Sequence, residues 1–348
     1  MNILYFEPNY TPSMQSYAYY AKQLQAIAKK ATVTIINAVG FTAKLDDIIA
    51  SCEQKPDVIL FGYGWMNIWK GGVKYRETTI EGLSNSKIPK AIFLNKEYGG
   101  SLPSKLGWIK ENNFNTAFTY HHDYNIFSQS TNVKFHHIPF AADPEVFKDY
   151  GVKPTYDIGF TGGLGHTSTN GWEKTSEFGK VNPTRPDGQG WSHNLRQQIQ
   201  DEKHRWKDIH FYFENHHHDN LIDYAKRLQT ATMWLSTTGP VDIVGTRYFE
   251  VPLTKTTMLI CNRPIHPWCF DFDGNRISKN INVYDGLFEE DKHYIGFENI
   301  NEFIQKTRYY KSNTKARQEI IDAAYDHCIK HHTWDNRADK VIKILESL

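Results

Sequence analysis

The sequence has no cysteine framework: Cys52, Cys261, Cys269 and Cys328 are scattered over 348 residues without C-x-x-C spacing. That excludes a zinc ribbon and a disulfide scaffold and makes reduced thiols the simpler reading. No apolar run approaches the roughly 18 residues of a bilayer span. The N-terminus, Met-Asn-Ile-Leu-Tyr-Phe, reads as a strand and not as a basic region followed by a long apolar one. The expectation is a soluble, cytoplasmic protein. Charge of one sign is also missing. A net charge of +1 removes the global electrostatic case for binding nucleic acid or an anionic membrane. No H-E-x-x-H pattern occurs, and neighbours in the run His216-His217-His218-Asp219 point in different directions, so no metal site is expected. The absence of G-x-x-x-x-G-K-[ST] excludes a Walker loop, and no G-x-G-x-x-G fingerprint completes around Asp157–Gly165, which weakens a dehydrogenase reading.

What is present suits two ordinary globular domains, with 40% apolar and 23% charged residues over 348 positions. Aromatics reach 14%, which serves sugar sites and plain cores equally. In the first half, short apolar runs at Asn2–Phe6, Thr32–Ile36, Asp57–Phe61, Lys90–Leu94, Asn115–Tyr120 and Val133–Pro139 alternate with helical patterns. One helix starts at the Thr11-Pro12 cap and another covers Ala43–Ala50. The second half repeats the plan. Strands are expected at Asp157–Thr161, His210–Phe213, Thr232–Ser236 and Thr256–Cys261. Helices are expected at His193–Glu202, Asn220–Gln229, Val244–Pro252, Ile300–Tyr309, Thr314–Lys330 and Trp334–Leu348. Alternation of this kind implies parallel sheets covered on both faces, here two Rossmann-like α/β domains. The polar, proline-bearing segment Ala141–Thr155 marks the boundary, giving domains 1–145 and 146–348. Gly163–Ser192 lacks periodicity and reads as a mobile loop.

Ligands of open parallel sheets bind beyond the carboxyl ends of the strands, so residues just after strands are the candidates. Gly162-Gly163-Leu-Gly165 follows the first strand of the second domain and can bring backbone amides close to a phosphate. A plain turn is an equal alternative. Ser236, Thr237 and Thr238 follow a later strand and offer donors to a nucleotide, or simply cap the next helix. Asp242 and Glu250 lie eight positions apart with Arg247 between them. A carboxylate can accept two ribose hydroxyls and an arginine can neutralise a diphosphate; the plainer reading is a helix with an acidic start and an exposed glutamate. In the first domain Glu7, Tyr10, Glu97, His121, His122 and Asp123 follow strands and could orient an acceptor or act as general base.

Three stretches resemble the CgeB-like branch of the group-1 glycosyltransferases. They are Arg247-Tyr-Phe-Glu250 leading into Met258-Leu-Ile, then Ile138-Pro-Phe-Ala-Ala-Asp143-Pro-Glu-Val-Phe147, and His332-Thr-Trp-Asp-Asn-Arg337-Ala338. The resemblance implies a GT-B fold, two Rossmann-like domains facing a cleft, with the C-terminal helix packing back on the first. It implies transfer of a hexose or pentose from a nucleoside diphosphate sugar, UDP- or GDP-linked, to an acceptor hydroxyl of a glycan or small molecule. No metal or other cofactor would be needed. Glu250 would bind the donor ribose and Arg247 the pyrophosphate. Asp242 stands where related retaining enzymes carry the first glutamate of an E-x7-E pair, and Glu97 stands at a strand end that is reactive in relatives. Two rival readings stay open: a non-catalytic nucleotide- or glycan-binding protein, and a nucleotide-sugar epimerase of the same fold. A transferase acting on nucleic-acid bases is disfavoured by the near-neutral charge.

Overall fold

The computed structural model describes residues 1–7, 18–37, 42–67, 79–94, 102–122, 124–162, 192–214, 220–239, 243–263, 268–270, 276–278 and 282–348. The chain divides into two compact units. Unit 1 takes Met1–Pro139, Phe270–Asn275 and Trp334–Leu348, and unit 2 takes Phe140–Cys269 and Arg276–Thr333.

Unit 1 is built on strands β1 (Asn2–Glu7), β2 (Thr32–Asn37), β4 (Val58–Phe61), β6 (Lys90–Phe93), β7 (Thr116–Thr119) and β8 (Lys134–His137). They form one parallel sheet in the order β2-β1-β4-β6-β7-β8. The inner strands read as unbroken apolar runs because both of their faces are covered, and β4, β6 and β7 are buried at every position. Phe6 stacks on Phe61 with centroids 4.7 Å apart, and Phe93 packs on Phe118 at 4.8 Å. Helices α1 (Ala18–Ala28), α2 (Leu45–Ala50), α3 (Tyr63–Asn67), α4 (Leu102–Glu111) and α5 (Asn125–Thr131) lie between these strands in the chain. A two-stranded ladder pairs β3 (Thr42–Lys44) with β5 (Thr79–Glu81). The C-terminal helix, Trp334–Leu345, belongs to this unit. Its Arg337 is buried and donates from Nε to the Pro139 carbonyl at 2.8 Å. Exposed pairs Lys29–Asp335 and Lys30–Asp339 add little by comparison.

Unit 2 has a parallel sheet of β9 (Tyr156–Thr161), β10 (Phe211–Glu214), β11 (Ala231–Ser236), β12 (Met258–Asn262) and β15 (Ile295–Phe297), ordered β10-β9-β11-β12-β15. Helices α6 (Ser192–Glu202), α7 (Leu221–Leu228), α8 (Arg247–Leu253), α9 (Ile300–Ser312) and α10 (Thr314–His331) follow in chain order, with the C-terminal helix as α11. Its core gathers Ile158, Phe160, Met233, Ile260, Phe297 and Phe303. A second short ladder joins β13 (Trp268–Phe270) and β14 (Arg276–Ser278).

Helix boundaries differ from the sequence expectation at several places. Residues 42–44 pair with β5, so α2 starts at Leu45 rather than Ala43. The helix expected from Val244 starts at Arg247, preceded by Gly245 and an N-cap at Thr246. Residues 243–246 are therefore outside the helix. The short strands β13, β14 and β15 carried no readable run of their own. The Thr11 cap and residues 163–191 of the expected loop lie outside the described residues, and Ser192 opens α6.

In both sheets the first strand sits between the second and the third. The order reverses at β1/β4 in unit 1 and at β9/β11 in unit 2, and the carboxyl ends beside such a reversal are where open parallel sheets hold ligands.

Candidate active site

In unit 2 the reversal is occupied by two arginines. Arg247 opens α8, donates from Nη2 to the Thr161 carbonyl at 2.6 Å and from Nε to the Tyr224 hydroxyl at 3.1 Å. Arg196 comes from α6, is 7% exposed, and donates from Nε to Thr237 Oγ1 and from Nη2 to the Thr237 carbonyl at 3.0 Å. Their guanidinium carbons lie 5.3 and 5.1 Å from the centroid of one ring, Phe160 near the end of β9. Burial, and then the nearby Arg247 charge, pull the Arg196 guanidinium down to about 9, which still leaves it charged at neutral pH. Two cations sharing an apolar platform are unfavourable in isolation and concentrate positive charge at the end of β9.

Gly162 adopts φ 114°, a conformation that side-chain-bearing residues rarely take, and a Cβ there would lie 3.2 Å from Arg247 Nη2. Its amide donates to the Glu214 carbonyl at 2.9 Å. The expected phosphate donor is thus committed to the sheet, and the contribution of Gly162 is to let the backbone pass the guanidinium. The loop after β11 is held by side chains. Thr237 is occupied by Arg196, and the Thr238 amide donates to Asn262 Oδ1 at 3.0 Å. The Asn262 carbonyl accepts from Tyr284, whose hydroxyl meets that of Tyr248 on α8 at 2.9 Å. Ser236, 1% exposed, is the one of the three whose hydroxyl has no partner among the described residues.

Glu250 lies one helical turn after Arg247 and is 7% exposed. Burial pushes its carboxyl up to about 7, against the opposing pull of Arg247, Thr246 and Tyr224. Its Oε2 accepts from the Tyr224 hydroxyl at 3.3 Å. Asp242 and Gly163 lie outside the described residues. The sequence reading missed Arg196 and Tyr224.

In unit 1 Glu7 ends β1 and is 4% exposed. Its Oε1 accepts from the Gly64 amide at 2.9 Å, yet burial holds its carboxyl well above the usual range. Beyond β7, His121 is buried and its ring stacks on His122 with centroids 4.4 Å apart. Burial, then His122 and His137, keep His121 well below the ordinary imidazole value. Two strands separate β1 from β7, so Glu7 and His121 start about 14 Å apart at three strand spacings of about 4.8 Å. The structure therefore does not gather them at one point. Tyr10, Glu97 and Asp123 lie outside the described residues, as does the run His216–His218. Among the described residues no cluster of His, Cys, Asp or Glu could hold a metal ion, and no helix is long and apolar enough to cross a membrane.

Against known proteins, the family described as "Glycosyl transferase-like" matches residues 188–343, which holds Arg196, Tyr224, Arg247 and Glu250. No curated protein matches in sequence. Among solved structures, Anabaena Alr3699/HepE in complex with UDP-glucose superposes with a TM-score of 0.55 at 9% identity, covering 100% of both chains. Sucrose-phosphate synthase from Thermosynechococcus elongatus gives 0.53 at 8% identity, over 100% of this chain and 98% of that one. An alpha-glucosyltransferase in complex with UDP-glucose and DNA containing an abasic site gives 0.54 at 11% identity, over 99% of each chain. At such identities the likeness speaks for the fold. With two Rossmann-like units and these full-length superpositions, the chain has the GT-B fold, and over residues 188–343 it is similar to the glycosyl transferase-like family.

Proposed function

We propose that the chain transfers a sugar from a nucleoside diphosphate sugar to an acceptor hydroxyl, with unit 2 holding the donor. The observation that carries this reading is the pair of guanidinium groups over Phe160 at the sheet reversal. Two like charges so close call for a dianionic partner, and a diphosphate between them would offset their repulsion while presenting oxygens to forked donors. Glu250, one turn further on, suits the ribose hydroxyls, and the Ser236 hydroxyl offers a further donor. Asp242 remains the residue proposed for the transferred sugar.

In the reaction the acceptor oxygen bonds to the anomeric carbon as that carbon's bond to the diphosphate oxygen breaks. The electron pair leaves with the diphosphate, whose growing charge Arg196 and Arg247 stabilise. Donors fixed before the reaction act most strongly there, so these two cations do the work that a divalent ion does elsewhere. The acceptor proton passes to a base supplied by unit 1, for which Glu97, His121 and His122 are proposed, with Glu7, Tyr10 and Asp123 orienting the acceptor. A glycan or small-molecule hydroxyl is favoured over nucleic acid because the net charge is only +1.

The test is a thermal-shift screen against UDP, GDP, ADP and UDP-glucose, with and without EDTA. A ligand at 100 times its Kd adds about 2.7 kcal/mol and raises Tm by a few degrees. One nucleotide family is expected to give that shift with EDTA present, and Arg196→Ala to abolish it. No shift with any nucleotide rejects the reading, and a shift that EDTA removes rejects metal independence.

A further inference from the structure

Arg247 and Glu250 do not form a direct ion pair among the described residues; they meet through a third side chain. Tyr224 lies in the first turns of α7, which Asn220 caps by accepting from the amides of Ile222 at 2.8 Å and Asp223 at 3.3 Å. The Tyr224 ring meets Phe147 edge-on with centroids 6.0 Å apart. Its hydroxyl accepts from Arg247 Nε at 3.1 Å and donates to Glu250 Oε2 at 3.3 Å. One phenol thus spends its proton on the carboxylate and a lone pair on the guanidinium.

We propose that Tyr224 is a positioning residue that locks Arg247 and Glu250 in one orientation, so that Glu250 reads the vicinal diol of a ribonucleotide and discriminates against 2′-deoxyribonucleotides. This rests on the donor reading above. With Oε2 tethered, the carboxylate cannot turn to re-optimise around a single ribose hydroxyl. A ribose with both hydroxyls is accepted by a plane already set, and a 2′-deoxyribose leaves acceptor capacity unfilled in a buried place. Without the phenol the carboxylate keeps Thr246 and the Arg247 charge but loses the tether on Oε2, and the loss of one ribose hydroxyl matters less. The same phenol helps to draw the Glu250 carboxyl down toward its ionised form, beside Arg247 and Thr246.

The experiment uses full-length wild type and Tyr224→Phe, which keeps the ring against Phe147. Calorimetry at pH 8 gives Kd for UDP and dUDP. In parallel, the Glu250 carboxyl is titrated by carbon NMR in the ligand-free protein, assigned with Glu250→Gln. Wild type is expected to favour UDP at least tenfold, and Tyr224→Phe to narrow that ratio to within about threefold while the Glu250 titration moves upward. A merely structural role would weaken both nucleotides equally. An unchanged ratio in a variant that still binds, or an unmoved Glu250 titration, overturns the positioning role. Where the screen above selects GDP or ADP in place of UDP, the same ratio is read against its 2′-deoxy counterpart; binding of none of the three by wild type removes the donor reading itself, which separates the two failures. Tyr224→Leu, which also removes the hydroxyl, should reproduce the narrowed ratio; a ratio kept by either variant overturns the proposal.

Discussion

Glu7 and Glu250 are two buried carboxyls, one in each unit, with opposite chemical prospects. Both are raised by burial. Glu7 has the Gly64 amide to oppose that effect and stays well above the usual carboxylate range. Glu250 has Arg247 as well as Tyr224 and Thr246, and is held at about 7. A guanidinium with two hydroxyls opposes the loss of hydration without cancelling it, and leaves Glu250 raised only to about 7. The unit 2 group is therefore poised to be an anion that accepts hydroxyls. Burial disfavours the charged form of the unit 1 group, which stands among the residues proposed to orient the acceptor.

The largest effect should come from removing the cation that makes the difference. Arg247→Ala deletes one of the paired charges and leaves Glu250 buried with only neutral partners. Truncating one member of such a pair costs about 2–5 kcal/mol, so nucleotide affinity should fall at least about 30-fold in calorimetry. Glu7→Gln should leave nucleotide affinity within about twofold. Equal losses in the two variants would show that the division of labour between the units is wrong.

The same contrast has a pH signature. Both carboxyls have folded-state values above their unfolded ones, so the stability each contributes is fully present below about pH 4.5 and is lost as pH rises through the folded value. For Glu250, moving from 4.5 to about 7 amounts to roughly 3 kcal/mol at most, lost mainly between those two pH values. Urea denaturation of ligand-free protein should show Glu250→Gln gaining on wild type from pH 5 to pH 7 and levelling above it. Glu7→Gln should keep gaining at higher pH. Saturating UDP-glucose should flatten the trend for wild type over pH 5–7, because donor binding selects the Glu250 carboxylate and the unfolded carboxyl is already ionised there. A flat difference between Glu250→Gln and wild type over pH 5–8 would show that Arg247 dominates burial.

The sequence exposed these groups unevenly, for physical reasons. Strands buried on both faces read as continuous apolar runs, which is why β4, β7 and β12 were legible and the three-residue β15 was not. Arg247 and Glu250 were legible as a charged pair ahead of an apolar strand. Arg196 was not. Its helix, Ser-His-Asn-Leu-Arg-Gln-Gln-Ile-Gln-Asp-Glu, is polar enough to read as solvated, and its burial arises from Phe160, far away in the chain. One signal was available: it is the only arginine or lysine of the helix that follows the Gly-rich stretch after β9. Tyr224 was hidden because an aromatic at a helical spacing reads as core. Two resemblance motifs also proved to be structural partners. Arg337 of one donates to the Pro139 carbonyl of the other, and the Ala142 amide donates to the His332 carbonyl at 3.2 Å.

The smallest effect compares two glycines beside the sheet reversals. A Cβ on Gly62, just after β4, would fall 1.7 Å from Glu7 Oε2 and 2.6 Å from the Tyr5 hydroxyl oxygen. A Cβ on Gly159 within β9 would fall 2.1 Å from the Trp234 ring and 3.0 Å from the Ala231 Cβ. The obstacles differ in kind. A carboxylate at the end of a flexible side chain can turn away, and turning lets Glu7 regain some hydration. Trp234 is fully buried in the central strand β11 and has nowhere to go. Gly159→Ala should cost about 2–3 kcal/mol, the range for overpacking a close-packed interior, and Gly62→Ala only about 1 kcal/mol. Urea midpoints at pH 8, with m-values compared, give both numbers. The same two variants are compared at pH 5. A Gly62→Ala penalty as large as that of Gly159→Ala at both pH values would mean that the Glu7 carboxyl is rigidly held, and that its place in unit 1 is as fixed as the Arg247–Glu250 pair in unit 2.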